Sequence, residues 1–240
     1  MYRELDSTRI IETNRRLEQR VAERVPDSGL AKVCRELVVV AMQSKDRCDK
    51  IRDGHAGLRI AVGFLILLII GGLTATFFSL KSSDQAMDFA TFVQLFEPGL
   101  NSLVLIGAAI IFLITGETRI KRNRAIKALG ELRAVAHVID MHQLTKDPER
   151  VRQSGFNTPS SPDVRLNEFQ LTRYLDYCTE MLSILGKISA LYAQNFDDPA
   201  VITAVNEVES LTTGLSRKIW QKIMILHLDG GSAEPKQEKS

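Results

Sequence analysis

The sequence predicts an all-α protein: a two-helix transmembrane hairpin with a cytoplasmic antiparallel helical bundle. Three observations lead there. Two stretches, Ile60 to Leu80 and Pro98 to Gly116, contain no ionisable side chain. In the polar regions on either side, apolar residues recur every three or four positions, the spacing of one helix face. Alternating β-branched and aromatic runs, which would mark strands, are nearly absent.

Residues 1–57 read as N-terminal cytoplasmic helices. Leu5 to Arg24 is rich in charge and free of breakers until Pro26. Beyond it Leu30, Val33, Cys34, Leu37, Val38 and Ala41 recur at helical spacing. Asp27 or Ser28 can cap this second helix, because a short side-chain oxygen accepts from the unpaired amides of a first turn. Gly54, His55, Ala56 and Gly57 then form a joint, since glycine weakens a helix by about 1 kcal/mol relative to alanine.

Residues 58–116 are the hairpin, with spans at about 58–80 and 98–116 and an outside loop at 81–97. A helix rises about 1.5 Å per residue and the hydrocarbon layer is roughly 30 Å thick, so about 20 apolar residues suffice to cross it. The loop carries Lys81 against Asp84, Asp88 and Glu97, whereas Arg119, Lys121, Arg122, Arg124, Lys127 and Arg133 follow the second span. Lys45, Arg47, Lys50, Arg52 and Arg59 precede the first. This asymmetry puts both termini in the cytoplasm, with Arg119, Lys121, Arg122, Arg124 and Lys127 as the topology determinants. The alternative use of such cations is attraction to anionic lipid, at about 1 kcal/mol each. The mixed charge of the first fifty or so residues fits no cleaved leader, so the first span is expected to act as its own insertion signal. Tyr2 stands where myristoylation needs glycine, and Glu238, Lys239 and Ser240 offer no cysteine to prenylate. The expected location is a bacterial inner membrane.

Inside the spans the polar residues are neutral: Thr74, Thr76, Asn101, Ser102 and Thr115. Ion pathways and transporters generally place ionisable groups or broken helices at that depth. Gly71 with Ala75, and Gly107 with Ala108, are candidates for close helix packing, within the hairpin or between copies.

Residues 117–228 read as a C-terminal bundle. Ile126, Leu129, Leu132, Ala136, Ile139 and Leu144 trace a stripe, Lys127 and Glu131 are spaced to pair, and the helix should end near Asp147 and Pro148. The segment 148–162 is a linker of Ser, Gly, Asn, Thr and Pro. Ser161 as cap and Pro162 as first residue should start the next helix, whose core face is Leu166, Tyr174, Tyr177, Met181, Leu185, Ile188 and Leu191. Asp198 and Pro199 repeat that start, and Val201, Val205, Val208, Leu215, Ile219, Ile223 and Leu226 form the last stripe. Asp229, Gly230 and Gly231 stop it, leaving 229–240 as a disordered tail.

Chemistry is sparse. With 31 basic and 29 acidic residues the net charge is +2, which argues against a nucleic-acid binder. Cys34, Cys48 and Cys178 lack metal spacing and read as reduced, packed thiols. His137, Asp140 and His142 form one local polar cluster. His137 and Asp140 share a helix face, but His142 does not, and a zinc helix would carry two histidines four apart with a glutamate between them. Neither a nucleophile elbow nor a phosphate-binding glycine loop occurs. No enzymatic activity, cofactor, metal or small-molecule substrate is therefore expected. Trp220 beside Arg217, Lys218 and Lys222 suits an interfacial anchor, but alternating helix directions favour packing in the core or on a partner.

The function expected is that of a membrane interaction or scaffold protein, its partners the lipid bilayer and another protein or a second copy. The alternative is a subunit of an oligomeric channel or transport accessory using the Gly and Thr faces. A membrane-bound enzyme using His137 and Asp140 comes third.

Overall fold

The computed structural model describes residues 4–53, 56–81, 89–148 and 166–230, so the 148–162 linker beyond Pro148 and the tail beyond Gly230 lie outside the described residues. Among the described residues there are six helices and no strand. They are α1 (Ser7–Arg24), α2 (Gly29–Asp53), α3 (Ala56–Lys81), α4 (Phe89–Leu144), α5 (Glu168–Asn195) and α6 (Pro199–Gly230). The chain divides into two units, Met1–Arg52 with Arg124–Ser240, and Asp53–Asn123. The long helix α4 contributes to both.

Local chemistry explains the helix starts in the larger unit. Asp6 Oδ1 accepts from the amides of Thr8 at 2.8 Å and Arg9 at 3.3 Å, capping α1. The turn into α2 needs a left-handed residue, supplied by Asp27 with φ of 56°, one of the few types that tolerates it. Ser28 Oγ then accepts from Ala31 N at 3.1 Å and caps α2. Asp198 Oδ1 accepts from Ala200 N and Val201 N ahead of α6, as its Asp-Pro start signal implies.

The described helix α5 begins later than expected, and Ser161 and Pro162 themselves lie outside the described residues. The helix begins at Glu168, and Asn167 and Gln170 form a reciprocal capping box. That arrangement satisfies two first-turn donors at once, which a lone serine cap does not.

Helix α5 is the centre of the unit, with thirteen buried residues against five from α1. Each predicted core residue of α5 is buried apart from Leu166, which is partly so, and the whole Val201-to-Leu226 stripe of α6 is buried. Hydrogen bonds and ion pairs between helices fix the directions. Lys45 with Thr8 and Arg35 with Glu18 run α2 antiparallel to α1. Leu5 with Gln194 and Arg20 with Glu180 run α5 antiparallel to α1. Arg133 with Glu207 and Gln143 with Lys222 run α6 parallel to α4. An up-and-down bundle results.

Two expectations for α4 are corrected within this unit. Lys127 and Glu131 do not pair; Glu131 instead takes Arg47 Nη1 of α2 at 2.5 Å. Ile126 and Leu144 are exposed, while Ala125 and Ala128 are buried with Leu129, Leu132, Ala136 and Ile139. The stripe is rotated because small alanines allow neighbouring helices to approach, and burial follows that contact rather than side-chain size.

The second unit holds α3 and the first part of α4. Helix α4 begins at Phe89, so 89–97 is helical where a loop was expected. The run without ionisable side chains begins at Pro98, which set the expected start there; the helix instead passes through Pro98 at the cost of one backbone hydrogen bond. Among the described residues one helical stretch, Leu103–Leu144, is long and apolar enough to cross a membrane, and its apolar window contains no buried residue. In α3 the described apolar stretch is the shorter Val62–Gly72. Large apolar side chains stand exposed on both helices, among them Phe64 and Leu67 on α3 and Leu103, Ile111 and Phe112 on α4.

Candidate functional site

The cluster singled out in the sequence lies at the C-terminal end of α4. His137 is exposed there, while Asp140 and His142 are half-buried. Asp140 Oδ1 accepts from Gln143 Nε2 at 2.6 Å, so its bonded partner is a residue on the next turn. Among the described residues no group of three or more His, Cys, Asp or Glu is placed to hold a metal ion.

What assembles here is a polar lock between helices. Lys222 of α6 donates from Nζ to Gln143 Oε1 at 2.7 Å, to the Gln143 carbonyl at 2.9 Å and to the Lys146 carbonyl at 3.3 Å. The last carbonyls of a helix lack intrahelical partners and carry the negative end of its dipole, so an ammonium is the fitting group. Burial lowers the Lys222 pKa from its ordinary value, while Asp147 and Asp140 oppose that shift. Lys146 lies over the ring of Tyr174 at 5.4 Å, and the Tyr174 hydroxyl donates to the His142 carbonyl at 3.4 Å. Burial pushes the Tyr174 hydroxyl well above its usual range.

His142 rests on the start of α2, where a Cβ at Gly29 would come within 2.3 Å of its Cε1. Burial, and then the charge of Lys146, lower the imidazole pKa. An open pocket of about 320 Å³ adjoins it, lined in part by Ser28, Thr145, Lys146 and Tyr174. The three thiols are buried, and burial pushes Cys34, Cys48 and Cys178 up to about 12, leaving each a poor nucleophile.

The other sequence-singled residues are spread along α3 and α4. Arg119, Arg124 and Lys127 are exposed and Arg122 is half-buried. Lys121 Nζ pairs with Glu117 Oε1 at 2.9 Å, both side chains mostly covered. Beyond the helix's own nearby backbone, no described atom lies within 4 Å of where a Cβ would stand at Gly71 or Gly107. Ala108 is exposed, and the side chain of Ala75 lies outside the described residues.

Trp220 is 58 % exposed, which corrects the core half of its expectation. Its outward neighbours Arg217, Lys218, Met224 and Ile225 are exposed too. The sequence reading missed Lys222 and Gln143 as partners because they lie 79 positions apart. It also missed Asn14, wholly buried with neither amide atom hydrogen-bonded. Its signal was available: Asn14 falls in phase with Ile10, Leu17 and Val21.

No family model, curated protein or solved structure matches this chain.

Proposed function

We propose that this chain is an integral membrane interaction or scaffold protein of a bacterial inner membrane. A hairpin with spans at about 58–80 and 98–116 anchors it, both termini are cytoplasmic, and the helices of the larger unit bind a protein partner or a second copy.

The observation that carries the reading is the most apolar 18-residue part of the Leu103–Leu144 stretch of α4, in which no residue is buried. A core helix of a soluble protein with such a composition would be covered, because each exposed large apolar side chain forgoes about 1.5–3 kcal/mol. A cleaved leader would lie near the start of the chain, whereas this stretch begins at Leu103. Exposed Phe64, Leu67 and Ile70 on α3, in a run free of charge from Ile60 to Leu80, support a second crossing. The exposed cations Arg119, Arg124 and Lys127 support a cytoplasmic exit.

The interaction half of the reading is supported by large apolar side chains exposed on the other unit, including Met141, Phe169 and Trp220. Light scattering and affinity capture of the full chain in mild detergent should give a stoichiometric partner or a defined oligomer. A strictly monomeric species that captures nothing overturns it.

A further inference from the structure

We infer that the C-terminal half of α6 is a docking face for an acidic, amphipathic helix of a partner protein, an inference that rests on the interaction reading above. Leu215, Ile219, Ile223 and Leu226 are buried, so the helix is fixed with a defined outer face. Arg217, Trp220 and Met224 fall three and four residues apart on that face, and Lys218 and Ile225 flank it at seven-residue spacing. All five are exposed.

The charge on this face selects the occupant. No acidic residue occurs between Glu209 and Asp229. Among the described residues Arg217 and Lys218 have no ion-pair partner, unlike Arg20, Arg47 and Arg133, which pair across helices. Exposed Trp220, Met224 and Arg217 are the residue types enriched at interfaces, and Lys218 suits the polar rim. They call for carboxylates interleaved with apolar side chains. The same face of a second copy is disfavoured, since it would set Arg217 and Lys218 against like charge.

The chain contains one tryptophan, so its emission reads this face alone. The full chain in nanodiscs of zwitterionic lipid would be titrated with a tryptophan-free helical peptide carrying leucine on one face and glutamate on the other. A lysine version of that peptide and phosphatidylglycerol vesicles serve as comparators. A saturable blue shift with the glutamate peptide alone is expected, weakened about tenfold or more in R217E/K218E. Both positions are exposed, and unchanged far-UV circular dichroism would establish that the variant is folded. No shift with the glutamate peptide, a shift indifferent to the charge reversal, or a shift with the vesicles alone each overturns the inference. If a stoichiometric partner is still captured, the interaction reading survives that failure; if none is, both fall.

Discussion

The ammonium of Lys222 on α6 grips Gln143 on α4 twice, at 2.7 Å through the side-chain oxygen and at 2.9 Å through the backbone carbonyl. Gln143 is buried, and its amide nitrogen is already committed to Asp140 at 2.6 Å. Lys222 therefore closes a chain of bonds that ends α4 and fastens α6 to it. Replacing it by Met keeps the aliphatic stem but strands a buried acceptor, which costs about 1–3 kcal/mol. The Lys222→Met variant should show a lower global unfolding midpoint by circular dichroism, whereas Lys218→Met should leave it unchanged.

Asn14 lies wholly buried on α1 with both amide atoms lacking partners. An unpaired polar group in an apolar site costs about 1–3 kcal/mol. Asn14→Leu, close in shape, should raise the unfolding midpoint by a gain of about 1–2 kcal/mol. A lower midpoint would mean that the amide is satisfied in solution.

His142 contributes a pH dependence with a defined sign. Its folded pKa lies below the ordinary 6.5, so just below pH 6.5 the unfolded chain binds more protons than the folded one. Stability is complete above that pH and falls as the pH drops through the folded value. His142→Asn should flatten the midpoint between pH 7.5 and 5.5; an unchanged slope would assign it to other groups.

Gly29 and His142 should be coupled. A Cβ at Gly29 would press within 2.3 Å of the imidazole, so Gly29→Ala should be tolerated much better once His142→Ala has removed the ring. A double-mutant cycle should return about 1 kcal/mol of interaction, and additive single effects would contradict the contact.

Cys34, Cys48 and Cys178 are buried, with thiols pushed up to about 12. At pH 8 a maleimide should leave the native chain unlabelled and modify all three after denaturation. Labelling in the native state would show that α2 or α5 opens readily.

Much of the bundle was legible because burial repeats with the helical period. The stripes of α5 and α6 follow directly from Tyr174 to Leu191 and from Val201 to Leu226, and Asp198–Pro199 marks a start by local chemistry alone. The start of α5 was not legible, since the reciprocal Asn167–Gln170 cap carries no breaker or proline to mark it in the sequence. The start of α4 was not legible either, since an ionisable residue such as Glu97 marks where an apolar stretch ends and not where a helix does. At the polar cluster, spacing allowed His137 to meet Asp140, but Gln143 lies equally near and is itself held by Lys222 from a distant helix. Trp220 has the size of a core residue, yet its phase relative to Ile219 and Ile223 turns it outward.

Topology is tested most directly by cysteine labelling in intact cells, since the native thiols should stay silent. Gln85→Cys, in the connection between the two proposed spans, should react with a membrane-impermeant maleimide from outside. Arg9→Cys and Lys127→Cys should react only after the membrane is permeabilised. Labelling of Arg9→Cys or Lys127→Cys in sealed cells, or release of the whole chain into the aqueous phase by alkaline carbonate, would contradict a membrane-anchored bundle.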